Sequence, residues 1–253
     1  RKNEDKYLVT GNKTWITHAS RSDLMIILAR TNPDNNLRNR GLSILLSPKA
    51  RGTPESLFPD ENIAGTEIKV LGYRGMKEFE LRFENFSINK AGLLGGIENK
   101  GFSQLMKTFE SARIQTAARS VGVAQNALDL AISYANTRTQ FNEKLINFQR
   151  IYNKIALMIV ETILGRQLVY YAATIKDRGR RCDLEAGMAK LLCGRIAWSC
   201  ADNSLQIHGG NGYAIEYDIS RVLCDARVLS IFEGTAEIQA QVIGRRVLAD
   251  SLR

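Results

Sequence analysis

Proline is scarce in this chain and unevenly placed. All four prolines lie at or before residue 59, at positions 33, 48, 54 and 59. Because proline interrupts helices and the interior strands of sheets, nothing after residue 59 prevents long uninterrupted helices. The sequence therefore predicts a region without long helices first and a helical region after it.

Long apolar runs are also missing. The chain has no run of about 18 consecutive apolar residues, the length that a membrane-spanning helix needs, and no signal peptide is visible. Apolar residues make up 44% of the chain and charged residues 24%, which is typical of a globular protein. The sequence predicts a soluble protein with a substantial core and no membrane partner.

Cysteine is present but not in metal-binding or disulfide patterns. The four cysteines are Cys182, Cys193, Cys200 and Cys224, and no two of them form a CxxC pair. Buried free thiols are therefore expected, with no zinc site and no other metal. Free thiols suit a reducing compartment, the cytoplasm or, in a eukaryote, the mitochondrial matrix.

The net charge of +9 admits several explanations. It suits a nucleic-acid surface, a docking face for an acidic partner, or an unbalanced piece of a longer chain. The basic residues are scattered and form no basic helix with interleaved aromatics, which argues against a nucleic-acid partner.

Hydrophobic periodicity divides the chain into two domains. Alternating and short apolar runs predict buried strands at 24–29 and 42–46 and further strands at 67–70 and 78–86. They also predict a hairpin of 7–10 and 13–17 around Gly11-Asn12 and a loop at 47–65. From Gly101 apolar residues recur every three or four positions, which predicts a long helix and then helices near 148–177, 183–207, 218–226 and 235–250. The prediction is an α+β chain: a partial antiparallel β domain at 1–92 and a C-terminal four-helix bundle at 101–253.

One carboxylate is placed for chemistry near the last helix. Glu233 stands between Ile231-Phe232 and Gly234, where a helix begins. Apolar neighbours predict a dry pocket, and desolvation raises the pKa of a carboxylate, which suits a base that removes a C–H proton. Thr235 is the expected N-cap. The alternative is that Glu233 only stabilises a helix N-terminus.

A glycine-rich segment precedes this site. Residues 205–213 read LQIHGGNGY, and such glycines end a helix and leave backbone amides bare for a flat or anionic ligand. The alternative is a simple helix C-cap. Arg113 lies on the apolar side of the long helix; it pairs either with Glu110 or another acid across the bundle, or with a ligand.

The order of these motifs resembles the acyl-CoA dehydrogenase family. Further matches are GNKTWIT at 11–17, RTQF at 138–141 with FQ at 148–149, and DAR at 225–227, so the resemblance covers essentially the whole chain. It implies FAD as the cofactor, an acyl-CoA substrate, electron-transferring flavoprotein as a partner, and a homo-oligomer, either dimer or tetramer. It also implies that an N-terminal helical domain and the first strands of the β domain are missing.

The resemblance implies a role for each matched residue. The residues it assigns to FAD are Trp15, Thr17, Arg138, Gln140, Phe141, Gln149, Gln206, Gly209, Gly210, Thr235 and Glu237. It makes Glu233 the base for the α-proton, with its own amide holding the thioester carbonyl, and places Gly234 and Arg113 at the substrate. The other position that carries the base in this family is here Ala112, which cannot take a proton; Glu110 and Glu237 are the competing acids.

Residues 138–141 are implied to reach the FAD of a neighbouring subunit. Asn142 follows where the family has glycine, and its Cβ bears on how closely this loop approaches. The alternative for Phe141 is an ordinary core aromatic.

The segments at 71–78, 111–123 and 179–184 look most like the branch of the family that acts on methylsuccinyl-CoA. The implied activity is α,β-dehydrogenation of a short acyl-CoA, branched or dicarboxylic, with Arg113 and Arg119 as candidate cations for a second carboxylate. The rival functions are an acyl-CoA oxidase and a non-catalytic binding protein on the same fold.

Overall fold

The computed structural model describes residues 2–3 and 5–251, except for the side chains of 249–251. The predicted domain ends at positions 1 and 253 lie outside the described residues. The chain forms two compact units that divide between Lys107 and Thr108, within a long helix.

The first unit contains antiparallel strands. They are β1 (Lys6–Thr17), β2 (Leu24–Arg30), β3 (Leu42–Pro48), β4 (Ile63–Ile68) and β5 (Glu78–Asn89). One sheet has the order β1-β5-β4, and β2 pairs with β3 in a second sheet. The core of this unit lies beneath β5, whose Phe79, Leu81 and Phe83 alternate inward and are at most 2% exposed.

The predicted hairpin around Gly11-Asn12 is wrong. Residues 6–17 form one continuous strand that pairs with β5 along its whole length. The register shifts between Val9 and Gly11 and again between Lys13 and Ile16. Gly11, with φ of 145°, lies at a β-bulge rather than at a turn, and a bulge uses the same residue type.

Two other strand predictions also need correction. β2 was predicted as a buried strand, but its Leu24 and Ile26 are 50% and 66% exposed, so one of its faces is not buried. β4 begins at Ile63, four positions before the predicted start. The predicted start was too late because Gly65 resembles a loop residue in the sequence. A side chain at Gly65 would overlap the ring of Phe58, so glycine is required there by packing.

The second unit is helical. The helices are α1 (Gly101–Thr137), α2 (Gln149–Asp177), α3 (Asp183–His208), α4 (Asp218–Val228) and α5 (Ala236–Ser251), and a two-stranded ribbon, β6 (Thr139–Gln140) with β7 (Glu143–Lys144), joins α1 to α2. α3 contacts α2, α4 and α5. Fully buried alanines on α1 and α3 allow the helices to pack closely. The predicted fold class, an antiparallel β region followed by a helical bundle, is confirmed.

Helix α2 has an unusual composition. Among the described helices, it alone is long and apolar enough to cross a membrane by length and composition, and 33% of its apolar window is buried. One such helix is weak evidence, since core helices of soluble proteins also have this composition. Its exposed apolar side chains include Leu157, Val160, Leu164 and Tyr171, which recur at helical spacing and so share a face.

All four cysteines are free thiols, as predicted, but only three of them have the predicted burial. Cys182, Cys193 and Cys200 are buried, and Cys224 is partly exposed. Burial raises the pKa of Cys193 to about 12 and that of Cys200 to about 11. The described residues contain no group of three or more metal-ligating side chains that could hold a metal ion.

These environments predict selective thiol reactivity. Only the thiolate is nucleophilic, so a raised pKa and burial protect three of the four thiols. We expect a disulfide reagent to modify Cys224 alone in the native protein and all four cysteines after denaturation. Absorbance of the released thiolate measures the count, and rapid modification of two or more native thiols would contradict the packing of α3.

Candidate active site

Glu233 lies in a tight turn between α4 and α5. Both Glu233 and Gly234 have left-handed backbone conformations, with φ of 54° and 88°. Thr235 caps α5 as predicted, because its Oγ1 accepts a hydrogen bond from the amide of Ile238 at 3.3 Å. A non-glycine residue in this conformation is strained, and such strain concentrates at functional sites.

The predicted dry pocket around Glu233 is not found among the described residues. The Glu233 side chain is exposed, and Ile231 is 49% exposed. Phe232 instead lies 5.6 Å from the guanidinium of Arg119. In an irregular turn successive side chains diverge, so apolar neighbours in sequence do not enclose the carboxylate between them.

Two buried side chains hold this turn, and neither was predicted from the sequence. Lys190 of α3 is 1% exposed, and its Nζ donates a 2.6 Å hydrogen bond to the carbonyl of Gly234. Gln239 of α5 is fully buried, and its Nε2 donates to the carbonyls of Gly234 at 3.1 Å and Glu233 at 3.4 Å. The available signal was a lysine among the small, buried residues of α3.

Lys190 is the electrostatic centre of the site. Its burial lowers its pKa to about 8, a shift that attraction to Glu233 opposes, repulsion from Arg113 reinforces and attraction to Glu237 opposes. The pKa of Glu237 is lowered by hydrogen bonds from its own amide and from Thr235. The site therefore combines two carboxylates with two cations from three helices and the turn.

Arg113 does not form an ion pair with Glu110, which was one of the alternatives that the sequence left open. Glu110 accepts hydrogen bonds from Lys176 Nζ at 2.8 Å and from Cys182 Sγ at 3.4 Å, so it serves a structural ion pair. Nε of Arg113 is buried and has no hydrogen-bond partner among the described residues. A buried guanidinium N–H without a partner is costly, and this favours the alternative in which Arg113 meets a ligand.

The segment at 138–144 forms a projecting hairpin. Phe141 and Asn142 occupy its two-residue turn with φ of 51° and 65°, the geometry of a type I′ turn. Asparagine tolerates this conformation well, so Asn142 accommodates the turn in place of glycine. Phe141 is 89% exposed, and its interpretation as a core aromatic is therefore wrong. Arg138, Gln140 and Gln149 are also exposed.

The glycine-rich segment is a helix terminus. Residues Gly209–Tyr213 form a 3-10 helix, and the amide of Gly209 donates to the carbonyl of Gln206. The prediction of bare amides is thus wrong for Gly209, because this amide caps α3. Gln206, Gly209 and Gly210 are exposed, and a side chain at either glycine would meet no atom within 4 Å.

Trp15 and Thr17 belong to the first unit. Trp15 is 62% exposed and left-handed, with φ of 59°, at the second register shift of β1. The hydroxyl of Thr17 donates to the carboxylate of Glu78 at 2.9 Å. An exposed indole on a strained strand position is available to a flat ligand.

Each unit also contains a cavity away from these residues. A cavity of about 780 Å³ in the first unit is lined in part by Tyr7, Thr10 and Arg30. A second, of about 440 Å³, lies between α1 and α2 beside Asp129 and Arg166. No predicted site residue lines either one.

The sequence matches two family descriptions in succession. Residues 1–86 match the middle domain of acyl-CoA dehydrogenases, and residues 99–248 match their C-terminal domain. The chain therefore belongs to the acyl-CoA dehydrogenase family, whose enzymes use FAD and bind acyl-CoA.

Particular relatives refine this assignment. The chain is 60% identical to (2S)-methylsuccinyl-CoA dehydrogenase of Cereibacter sphaeroides, over 98% of the chain and 45% of that protein. It is 37% identical to subunit CarC of the caffeyl-CoA reductase-Etf complex of Acetobacterium woodii, over 96% of the chain and 62% of that subunit. Some family members thus associate with electron-transferring flavoprotein.

Solved structures of this family also match the chain. The crystal structure of an acyl-CoA dehydrogenase from Geobacillus kaustophilus superposes with a TM-score of 0.91 at 29% identity, covering 97% of this chain and 62% of that one. The chain therefore spans about half to two thirds of the length of these relatives.

Proposed function

We propose that the protein carrying this chain is an FAD-dependent acyl-CoA dehydrogenase that introduces an α,β double bond into a short acyl-CoA, with methylsuccinyl-CoA as the first candidate substrate. The observation that carries the proposal is the strained turn that presents the Glu233 carboxylate. The 60% identity to a (2S)-methylsuccinyl-CoA dehydrogenase supports the substrate.

Glu233 is the base in this proposal. Its carboxylate removes the α-proton of the thioester, and the backbone amide of Glu233 donates to the carbonyl oxygen as negative charge develops there. The carboxylate is exposed among the described residues, and in this proposal the bound acyl group displaces water from it. Desolvation then raises the basicity of the carboxylate at the moment of proton transfer.

The described residues suit a flavin dinucleotide. Trp15 offers an exposed flat ring. Arg138 and Gln140 offer an exposed cation and an exposed amide to a dianionic cofactor, and Gly209 and Gly210 leave open space above the backbone. In the proposal Arg138, Gln140, Phe141 and Gln149 reach the FAD of a neighbouring subunit. The other residues assigned to FAD contacts are Trp15, Thr17, Gln206, Gly209, Gly210, Thr235 and Glu237. FAD supplies the acceptor for the hydride that leaves the β-carbon.

A substrate panel tests this function in the full-length protein. Steady-state rates with methylsuccinyl-, isovaleryl-, isobutyryl- and butyryl-CoA, with electron-transferring flavoprotein as acceptor, are expected to be highest for methylsuccinyl-CoA. A preference for unbranched chains would remove the substrate assignment. Hydrogen peroxide formed without the flavoprotein would indicate an oxidase, and a salt-dependent shift of DNA without turnover would indicate a binding protein.

Arg113 is the candidate partner for a second carboxylate of the substrate. Its Nε is buried without a partner among the described residues, whereas Arg119 already stacks on Phe232. We expect Arg113→Gln to lose a charged hydrogen bond of about 1.5–3 kcal/mol, and hence kcat/KM for methylsuccinyl-CoA to fall about tenfold to 100-fold. The loss with butyryl-CoA should be smaller.

The matched variant is Arg119→Gln on the same helix. Competitive kinetics with the two thioesters measure the change in preference directly. If Arg119→Gln rather than Arg113→Gln changes the preference, the carboxylate site is assigned to the wrong arginine.

We also infer a homo-oligomer, a dimer or tetramer, with Phe141 directed toward a neighbouring subunit. The exposed apolar face of α2 and the strained, exposed Phe141 support this inference, because large exposed apolar surfaces mark interfaces. Sedimentation of the full-length protein tests the oligomer: a monomer at micromolar concentration would contradict it.

We also propose that the protein works in a reducing compartment, the cytoplasm or mitochondrial matrix. Its free thiols support this proposal.

A further inference from the structure

The turn at Glu233 and Gly234 is held by hydrogen bonds from side chains of two helices. Lys190 reaches it from α3 and Gln239 from α5, and both side chains donate to the Gly234 carbonyl. Gln239 also reaches the Glu233 carbonyl, at 3.4 Å. The backbone that sets the direction of the candidate base therefore depends on two side chains that never approach the surface.

The burial of Lys190 requires a physical explanation. Removing an ammonium group from water is costly, and well-packed apolar side chains at such positions are frequently as stable or more stable. Lys190 lies among small and apolar residues of α3 that are also buried, including Ala189 and Cys193. Among the described residues its hydrogen bond goes to the Gly234 carbonyl, so the lysine acts on the position of this turn.

Gln239 shows the same pattern. Its Nε2 serves the turn, while its Oε1 is buried with no hydrogen-bond partner among the described residues. A buried amide with half of its capacity unused stabilises the fold poorly. The Nε2 group of Gln239 nevertheless donates to the carbonyls of both residues of the strained turn, Glu233 and Gly234.

The charges around Lys190 are those of the candidate site. Arg113 acts on it from α1, Glu237 from α5 and Glu233 from the turn itself. The ammonium thus holds the turn through the hydrogen bond to Gly234 and attracts the carboxylate of Glu233. Both effects restrict where that carboxylate lies.

We propose that Lys190 and Gln239 are positioning residues, which lock the Glu233–Gly234 turn in its left-handed conformation and so aim the Glu233 carboxylate at the α-proton. This role rests on the proposed function of Glu233. It does not require that either side chain touch the substrate.

The test uses Lys190→Met and Gln239→Met in the full-length enzyme. Small displacements of a catalytic group cost about 100-fold, so we expect kcat to fall by about that factor while KM changes little. Lys190→Arg keeps a charged donor and should recover part of kcat. Without substrate, backbone amides of residues 229–241 should exchange with deuterium faster in both methionine variants.

Lys49→Met is the matched control. Lys49 is also a buried lysine whose Nζ donates to backbone carbonyls, those of Ser20, Ser22 and Ala50, but it lies in the first unit and holds no predicted site residue. This variant should keep both kcat and the exchange at residues 229–241 close to wild type, whichever way its stability changes.

Stability against pH gives a second readout. The pKa of folded Lys190, about 8, is below the ordinary value of 10.5, so the cost of its charge is fully present below about pH 8. Between these values the unfolded chain binds more protons at this residue, and the free energy of unfolding rises with pH. Across that window, from about pH 8 to pH 10.5, the free energy of unfolding of wild type should therefore rise relative to that of Lys190→Met.

The outcomes separate this inference from the proposed function. If Glu233→Gln is inactive but Lys190→Met and Gln239→Met keep kcat and normal exchange, the positioning role is wrong and the base stands. If Glu233→Gln keeps turnover, the base assignment fails, and faster exchange at residues 229–241 would then show only that the two side chains hold the turn. Should Lys190→Met not fold, Gln239→Met and Lys190→Arg still decide.

Discussion

Replacing Glu233 by glutamine in the full-length enzyme is expected to reduce kcat about 100-fold to 10,000-fold while the protein folds normally. This range is the usual contribution of a general base. Glutamine has nearly the shape of glutamate and keeps the Lys190 and Gln239 hydrogen bonds to the turn, which involve backbone carbonyls. Its amide cannot accept the α-proton, so only the chemical step should fail. Reduction of the acceptor by saturating acyl-CoA measures kcat.

Glu110→Gln is the variant to compare with it. Glu110 is a rival acid on α1, but it is engaged by Lys176 and Cys182. Its replacement should lower the melting temperature and leave kcat close to wild type. An active Glu233→Gln together with an inactive Glu110→Gln would transfer the base to α1.

Gly234→Ala is expected to lower kcat about 100-fold and the free energy of unfolding by about 1–3 kcal/mol. The reason is twofold. With φ of 88°, Gly234 has a backbone conformation that a Cβ strains, and the added Cβ would overlap Nε2 of Gln239. The amide that holds the turn must then move, and the Glu233 backbone moves with it. Rates at saturating substrate and denaturant unfolding measure the two effects.

Gly179→Ala separates the effect of backbone strain from the effect of displacing a neighbouring side chain. Gly179 also has a left-handed conformation, with φ of 67°, but a Cβ there meets no atom within 4 Å. This variant should show the loss of stability without the loss of kcat. If both alanine variants leave kcat unchanged, the turn tolerates movement and its geometry does not limit catalysis.

The helices were predictable because their signals are local. The absence of proline after residue 59 and apolar recurrence every three or four residues place α2 and α3 within about one residue of their observed ends. Thr235 as the cap of α5 likewise depends on neighbours within three residues.

The β region shows where local signals fail. Gly11 indicates either a turn or a bulge, and only pairing with β5, some 70 residues away in sequence, selects the bulge. Gly65 reads as a loop residue until Phe58 is seen against it. In both places tertiary contact determines the meaning of a glycine.

Part of the candidate site was predictable from the sequence, and part depends on tertiary contacts. The sequence motif around Glu233 is contiguous and was found, whereas Lys190 reaches Gly234 across 44 residues of sequence and was not. Periodicity places Lys190 on a buried face but does not say which carbonyl it meets. The exposure of Glu233 was also missed, because the direction of a side chain in a left-handed turn is not encoded in the polarity of its neighbours.

The central claim is that the Glu233 carboxylate removes the α-proton of the bound thioester. Its most direct test is exchange of that proton with deuterated solvent, measured by mass spectrometry of acyl-CoA recovered from the full-length enzyme without an electron acceptor. We expect rapid exchange with wild type and with Glu110→Gln, and exchange near the uncatalysed rate with Glu233→Gln. Exchange that persists unchanged in Glu233→Gln would contradict it.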